Sequence, residues 1–224
     1  MSQIKLILAS RNAGKAREFE HLLEGYFSVQ PLDAEIELPA ETGVTFAENA
    51  RLKAEAVFMA LGENRAVLAD DSGLEVTALE GAPGIYSARY AGQTASDQEN
   101  VQKLLRMLKG ISERKARFVC NLCLLVPETE LTPNPSETGR QKQRIIFEVS
   151  GTLEGVITEE PRGEQGFGYD PVFCPQHWPQ TLAEMTPEQK NKLSHREAAV
   201  KALLREVFAH EAWPASLGGN GNGV

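Results

Sequence analysis

The chain has 224 residues, of which 42% are hydrophobic and 24% are charged, and it contains three cysteines. These values are ordinary for a globular protein and exclude a low-complexity, collagen-like or disulfide-rich chain. With 23 Lys and Arg against 31 Asp and Glu, the formal net charge is −8, which argues against a nucleic-acid partner, since that needs a basic surface. Because the sequence shows neither a long apolar run nor a signal-like start, we expect a cytoplasmic protein without a membrane partner.

The first predicted elements are a strand at 3–9, a polar loop and a helix. The loop is Ser10-Arg11-Asn12-Ala13-Gly14-Lys15, and apolar residues follow it at helical spacing. The N-terminus of a helix attracts phosphate through its free N–H groups and its dipole, and Lys15 adds a positive charge. The loop lacks P-loop spacing, so a polar turn with a surface lysine remains the alternative.

A second helix is predicted to begin after Thr45. Thr45 and Glu48 have the spacing of a capping box, in which Thr45 accepts a hydrogen bond from the Glu48 amide. Apolar residues then recur along one helical face as far as Leu61. Strands are predicted next at 66–70 and 74–79.

Asp70 and Asp71 directly follow the apolar run that opens the first of these two strands. Catalytic groups in α/β proteins are commonly placed at strand ends. A hard cation such as Mg²⁺, which binds one or two carboxylates together with waters and substrate phosphates, would relieve the repulsion between the two acids. Glu41 is a possible further oxygen ligand, and a solvated acidic turn is the alternative.

The middle of the chain alternates helix and strand. Ser96 and Glu99 form a second capping box that opens a helix, and strands are predicted at 116–126 and 145–157. The segment 127–144 between these strands is rich in Pro, Thr, Glu and Gln and has no apolar face. It is predicted to be an exposed loop.

Two glycine-rich segments are candidate ligand loops. Residues 81–92 surround Arg89 with glycines and tyrosines, which fits a phosphate or carboxylate contact as well as it fits an ordinary loop. In the second segment, glycines on both sides of Phe167 allow its ring to stack on a base, and Asp170 could anchor a polar edge. Tyr169 is either part of this site or part of the core.

A last candidate site lies near the C-terminal helical pattern. Ser194 is predicted to cap a new helix, which places Lys190, His195 and Arg196 near a helix N-terminus. These residues form either an anion or keto-oxygen site or a solvated first turn.

These motifs together resemble those of the inosine/xanthosine triphosphate pyrophosphatases, which cleave non-standard purine nucleoside triphosphates to monophosphate and pyrophosphate. The matching stretches occur in family order from residue 5 to about 205. They are SRNAGKAREFEHLL, ETGVTFAENARLKA, LADDSGLEV, GAPGIYSARYAG, GFGYDPVF and AEMTPEQKNKLSHR.

The resemblance implies an α/β fold with a mixed central sheet flanked by helices, and two lobes around a long active-site cleft. It also implies a Mg²⁺ requirement and a homodimer. We expect one domain over 1–212, with the polar loop 127–144 inserted, and a flexible tail at 213–224.

The family's functional residues can be placed on this sequence by the same resemblance. Its catalytic residues fall on Asp71, Asp70 and Lys15, and its metal ligands on Asp71 and Glu41. The residues expected to bind substrate are Ser10, Arg11, Asn12, Ala13, Gly14, Lys15, Ser72, Phe167, Gly168, Tyr169, Asp170, Lys190, His195 and Arg196.

The expected activity is Mg²⁺-dependent hydrolysis of ITP, dITP and XTP to the monophosphate and pyrophosphate, in which water attacks the α-phosphorus. The residues leave open whether Asp70 or Asp71 accepts the proton, because adjacent carboxylates titrate together. A pyrophosphatase of the septum-inhibitor type, acting on pyrimidine or modified nucleotides, and a nucleotide-binding sensor without catalysis are the alternatives.

Overall fold

The computed structural model describes residues 3–127, 144–211 and 213. Its strands are β1 (Ile4–Leu8), β2 (Phe27–Pro31), β3 (Ala66–Val76), β4 (Lys115–Pro127), β5 (Arg144–Ile157) and β6 (Phe173–Pro175). They form one sheet in the order β2-β1-β3-β4-β5-β6. The sheet is mixed, because β1 runs parallel to β2 and β3 whereas β5 and β6 are antiparallel.

Helices flank this sheet, as the family resemblance implies. They are α1 (Ala13–Leu22), α2 (Phe46–Ala60), α3 (Asp97–Met107), α4 (Pro187–Asn191) and α5 (His195–Ala209). Short 3₁₀ helices occur at Thr77–Leu79, Gly84–Arg89, Asp170–Val172 and Leu182–Glu184. The mixed α/β prediction is therefore confirmed. No helix within the described ranges has the length and apolar character needed to cross a membrane.

The chain divides into two compact units. The first unit contains Met1–Asp71, Asn121–Ser150 and Ala199–Val224, and the second contains Ser72–Cys120 and Gly151–Ala198. Residues 128–143 of the predicted loop and all of the predicted tail except Trp213 lie outside the described residues. The extent of the domain and the character of these two segments stay predictions.

The first unit has a core between α2 and the sheet. One face of α2 contributes Ala50, Ala54, Val57 and Phe58, which pack against apolar side chains of β1, β3 and β4. Thr45 caps this helix by accepting a hydrogen bond from the Glu48 amide, as predicted. The Glu48 carboxylate accepts a hydrogen bond from the Val44 amide at 2.7 Å. This bond holds the start of α2 against the segment that precedes it.

The second unit has its own core, in which α3 packs on apolar side chains of β3, β4 and β5. Val101, Leu104 and Leu108 provide the helical side of this cluster, and Phe173 is fully buried within it. The predicted capping box of Ser96 and Glu99 is complete, with both reciprocal contacts formed. The predicted break in the C-terminal helical pattern is also present, because α4 ends at Asn191 and α5 begins at His195.

One strand prediction is wrong in an informative way. The sequence predicts two separate strands, at 66–70 and 74–79, with the two acids at the end of the first, but β3 is continuous from Ala66 to Val76, and residues 77–79 form a 3₁₀ helix. Asp70 and Asp71 are buried in this strand, and each is paired with a lysine ammonium group. The two carboxylates therefore lie within the sheet and not at a strand end.

Candidate active site

In the first unit, the two carboxylates of β3 are buried and each is paired with a lysine. Asp70 and Asp71 have 1% and 6% of their surface exposed. Consecutive strand residues point to opposite faces of a sheet, so the two acids meet lysines from two different helices. Lys15 of α1 donates to both oxygens of Asp70, at 2.9 and 3.1 Å. Lys53 of α2 donates to Oδ1 of Asp71 at 3.1 Å.

Lys53 also binds the predicted metal ligand Glu41. Its Nζ donates to Oε1 of Glu41 at 2.9 Å, so one buried ammonium group bridges two carboxylates. The segment that carries Glu41 is held by α2, because Asn49 accepts a hydrogen bond from the Gly43 amide at 2.8 Å. The structure thus brings together Asp70, Asp71, Glu41 and Lys15, which the sequence predicts, and adds Lys53, which it does not.

The position of Lys53 in the sequence does indicate a buried, paired lysine. Lys53 and Asn49 lie on the same face of α2 as Phe46, Ala50 and Val57, and both polar residues are buried. A lysine on the apolar face of an amphipathic helix needs a buried acidic partner. Lys53 could therefore have been assigned to the acidic pair from its helical position.

Burial and charge act against each other in this group. Burial raises the pKa of Asp71, and the charge of Glu41 raises it further, while the ammonium groups of Lys53 and Lys15 oppose both effects. Burial lowers the pKa of Lys53, but the charges of Asp71, Asp70 and Glu41 outweigh burial and raise it. Lys53 is therefore a stable cation beside a carboxyl group that protonates more readily than an ordinary aspartate.

The predicted phosphate loop forms the start of α1. Asn12 is the N-cap and accepts a hydrogen bond from the Lys15 amide at 3.0 Å, and Ser10 accepts one from the Asn12 amide at 3.2 Å. Ala13 and Gly14 occupy the first helical turn. The backbone N–H groups of this turn point out of the N-terminal end of the helix, where they can bind an anion.

Arg11 of the same loop is directed elsewhere. Its guanidinium group donates to backbone carbonyls of the segment after β2, at distances between 2.6 and 3.2 Å; the acceptors are Leu32, Asp33, Ala34 and Ile36. The side chain thus fixes the path of this segment, and a contact between Arg11 and a phosphate stays a prediction.

The donors of the first unit fit a hard divalent cation at Asp71. The Oδ2 atom of Asp71 is buried and has no hydrogen-bond partner among the described residues, and carboxylate oxygen is the ligand that such cations prefer. Within the described ranges, no group of three or more His, Cys, Asp and Glu residues is arranged to hold a metal ion.

In the second unit, the loop around Phe167 is shaped by two glycines with positive φ. Gly166 has φ +80° and Gly168 has φ +62°, which L side chains rarely adopt. Asp170 accepts a hydrogen bond from the Phe167 amide at 2.9 Å and is itself buried. Tyr169 is a core residue whose hydroxyl donates to the Ser87 carbonyl at 2.9 Å.

Two cationic side chains lie over the Phe167 ring. Lys190 Nζ lies 4.6 Å and Arg196 Cζ lies 5.3 Å from the ring centroid, both within the range of a cation–π contact. Lys190 also donates to Oδ2 of Asp170 at 2.8 Å, and Arg196 donates to the Ser72 hydroxyl at 3.1 Å. The predicted residues Phe167, Asp170, Lys190, Arg196 and Ser72 are thus joined in one group.

His195 stands at the first position of α5, after the predicted cap. Ser194 accepts a hydrogen bond from the Glu197 amide at 3.1 Å, and the His195 ring stacks on Phe118 with centroids 4.8 Å apart. His195 is buried rather than solvated.

In the loop 81–92, Arg89 lies over the Tyr86 ring at 5.4 Å, and its predicted phosphate contact stays a prediction.

Paired carboxylates with lysines, found in one unit, suit phosphate chemistry, and an aromatic ring with cations over it, found in the other, suits a flat, polar base. Comparison with known proteins agrees with this chemistry. The dITP/XTP pyrophosphatase of Bacillus subtilis is 48% identical over 210 residues, which are 91% of this chain and 96% of that protein.

Two solved structures with the same fold are named as Ham1 proteins. The Staphylococcus aureus Ham1 protein matches with a TM-score of 0.73 and 39% identity, covering 92% of this chain and 98% of that one. A HAM1 protein from Coxiella burnetii gives a TM-score of 0.74 and 36% identity, with 93% and 100% covered. The Ham1 family profile matches residues 6–206. The chain belongs to the Ham1 family and is a hydrolase of the nucleotide pyrophosphatase class.

Proposed function

We propose that the chain hydrolyses dITP, XTP and ITP to the monophosphate and pyrophosphate and that it depends on Mg²⁺. The observation that carries the proposal is the pairing of two buried acids, Asp70 and Asp71, each with a lysine; the lysines are Lys15 and Lys53. The names of the curated relatives support dITP and XTP as substrates.

The proposed reaction is the attack of water on the α-phosphorus. The bond between this phosphorus and the oxygen that leads to the β-phosphorus breaks, and pyrophosphate leaves. Asp71 is the proposed acceptor of the water proton, because Lys15 already donates to both oxygens of the other candidate, Asp70. Lys15 and the first N–H groups of α1 are proposed to bind the negative charge of the departing pyrophosphate.

Asp71 and Glu41 are the residues that would hold the cation. A bound Mg²⁺ would offset the negative charge that accumulates on the triphosphate during bond cleavage. Lys53 already binds both carboxylates, so it keeps these two acids oriented toward a common point.

The second unit is proposed to bind the base. The Phe167 ring offers a stacking surface, and Lys190 is fixed beside it by Asp170. Hypoxanthine and xanthine present a keto oxygen at position 6, where adenine presents an amino group. Donors from His195, Arg196 or backbone amides would bind the keto oxygen and would be left unpaired by adenine, which can give a discrimination of about 10⁴.

Product analysis tests the proposed function. ITP, dITP, XTP, ATP, dTTP and UTP are each incubated with the protein in Mg²⁺ and in EDTA, and the nucleotide and phosphate products are separated. We expect monophosphate and pyrophosphate from the three 6-keto purines only, and no turnover in EDTA. Orthophosphate release would refute the reaction, and preferential turnover of dTTP or UTP would favour a septum-inhibitor-type enzyme.

Gly166→Ala is expected to weaken substrate binding. A Cβ at Gly166 would collide with Oδ2 of Asp170, the atom that accepts from the Phe167 amide and from Lys190. Losing charge-assisted bonds of this kind should raise the KM for dITP by about tenfold or more. Steady-state kinetics measure the effect.

Gly168→Ala is the matched control for this variant. Gly168 also has positive φ, but a Cβ there meets no atom within 4 Å. Backbone strain alone would raise KM equally in the two variants, whereas the collision with Asp170 predicts a clearly larger rise in Gly166→Ala.

The homodimer, the cytoplasmic location and the absence of nucleic-acid and membrane partners stay predictions from the sequence. The same holds for the two lobes around a long active-site cleft.

A further inference from the structure

The Phe167 loop is held by two carboxylates at consecutive backbone amides. The Phe167 amide donates to Asp170 at 2.9 Å, and the Gly168 amide donates to Oδ2 of Asp97 at 2.7 Å. Asp170 is a neighbour in the sequence, but Asp97 lies 71 residues from Gly168. Asp97 lies between Ser96 and Glu99 but is neither of the two residues that form the capping box.

Asp97 stands on a firmly anchored helix end. It is the first residue of α3, directly after Ser96, whose capping box with Glu99 is complete. One turn further, the buried Asn100 accepts from the Ala91 amide at 2.7 Å and donates to the Ala88 carbonyl at 3.2 Å. The Asp97 carboxylate is therefore presented from a fixed position.

The loop that Asp97 contacts has little restraint of its own. Gly166 and Gly168 flank Phe167 and lack the side chains that would limit the backbone. The direction of the Phe167 ring therefore depends on the contacts made by its neighbours, and the Asp97 bond fixes the glycine that follows the ring.

We propose that Asp97 is a positioning residue for the base of the substrate. It accepts the Gly168 hydrogen bond and so holds Phe167 in the orientation that stacks on the base; this rests on the proposed function. Asp97 acts on the substrate only through the Gly168 backbone in this proposal, so its loss raises KM and leaves kcat nearly unchanged. The conservative variant Asp97→Asn keeps an oxygen that can accept from Gly168, and Asp97→Ala does not.

The test compares steady-state kinetics on dITP for the wild type, Asp97→Ala and Asp97→Asn. We expect a KM about three- to tenfold higher in Asp97→Ala and close to the wild-type value in Asp97→Asn, because only the first variant loses the acceptor. Amide hydrogen exchange at Gly168, followed by NMR on the full chain, should become faster in Asp97→Ala alone.

Glu99→Ala is the control for effects on the helix. It removes an acidic group and the capping box from the same turn but leaves the Gly168 contact, so its KM should match the wild type even where its stability falls. Unchanged KM and unchanged Gly168 exchange in Asp97→Ala would overturn the proposal. A wild-type protein that releases no pyrophosphate would refute the proposed function instead, and Gly168 exchange would still decide whether Asp97 holds the loop.

Discussion

Asp71→Asn is expected to lower kcat for dITP by about 10²- to 10⁴-fold while the protein stays folded. The amide has nearly the shape of the carboxylate, but it neither accepts the water proton nor offers a negative charge to a cation. Asp71 is the acid whose Oδ2 has no hydrogen-bond partner among the described residues. Pyrophosphate release at saturating dITP measures the loss, and thermal unfolding checks the fold.

Two comparisons sharpen this prediction. Glu75→Gln changes an acid on the same strand that is paired with Arg117 at the surface, at 2.7 Å, and should leave kcat unchanged. Asp70→Asn changes the acid whose two oxygens both accept from Lys15. A larger loss of kcat in Asp70→Asn than in Asp71→Asn would reverse the assignment of the proton acceptor.

Local signals in the sequence were sufficient for much of the fold. The caps at Thr45 and Ser96 depend on residues three apart, and both helices begin where these pairs predict. By contrast, β2 and β6 were not predicted. β2 is a partly buried five-residue strand that ends in a proline, and β6 has three residues. Such short strands exist because a neighbouring strand pairs with them, which no local pattern shows.

The candidate site was predictable in its residues but not in their partners. Acids, lysines and glycines in short motifs predict a phosphate and base site, yet the burial of Asp70 and Asp71 within β3 is compensated by lysines from two other elements. Motif membership also does not show which partners a side chain has within the protein. Tyr169 is a core residue bound to Ser87, and Arg11 holds a backbone segment.

Lys53→Met is expected to reduce kcat by about a hundredfold and to change its pH dependence. Methionine keeps the length of the side chain and removes the ammonium group that binds Glu41 and Asp71. The two acids then repel each other without a cation between them, so Asp71 is less well oriented for catalysis.

The direction of the pH effect follows from the charges at Asp71. Lys53 lowers the pKa of Asp71, while burial and Glu41 raise it, so removing Lys53 raises this pKa further. Asp71 accepts a proton only when it is ionised, and the acid limb of the kcat profile should therefore move to higher pH in Lys53→Met. Lys53→Arg keeps the positive charge and should shift the limb less.

Arg51→Met provides the matched control on the same helix. Arg51 pairs with Glu55 at the surface at 3.2 Å, one turn away along α2, and its loss removes the same charge from the protein without touching Asp71. Its kcat profile should coincide with that of the wild type. An acid limb that stays in place in Lys53→Met, or moves to lower pH, would show that Asp71 is not the group whose ionisation limits kcat.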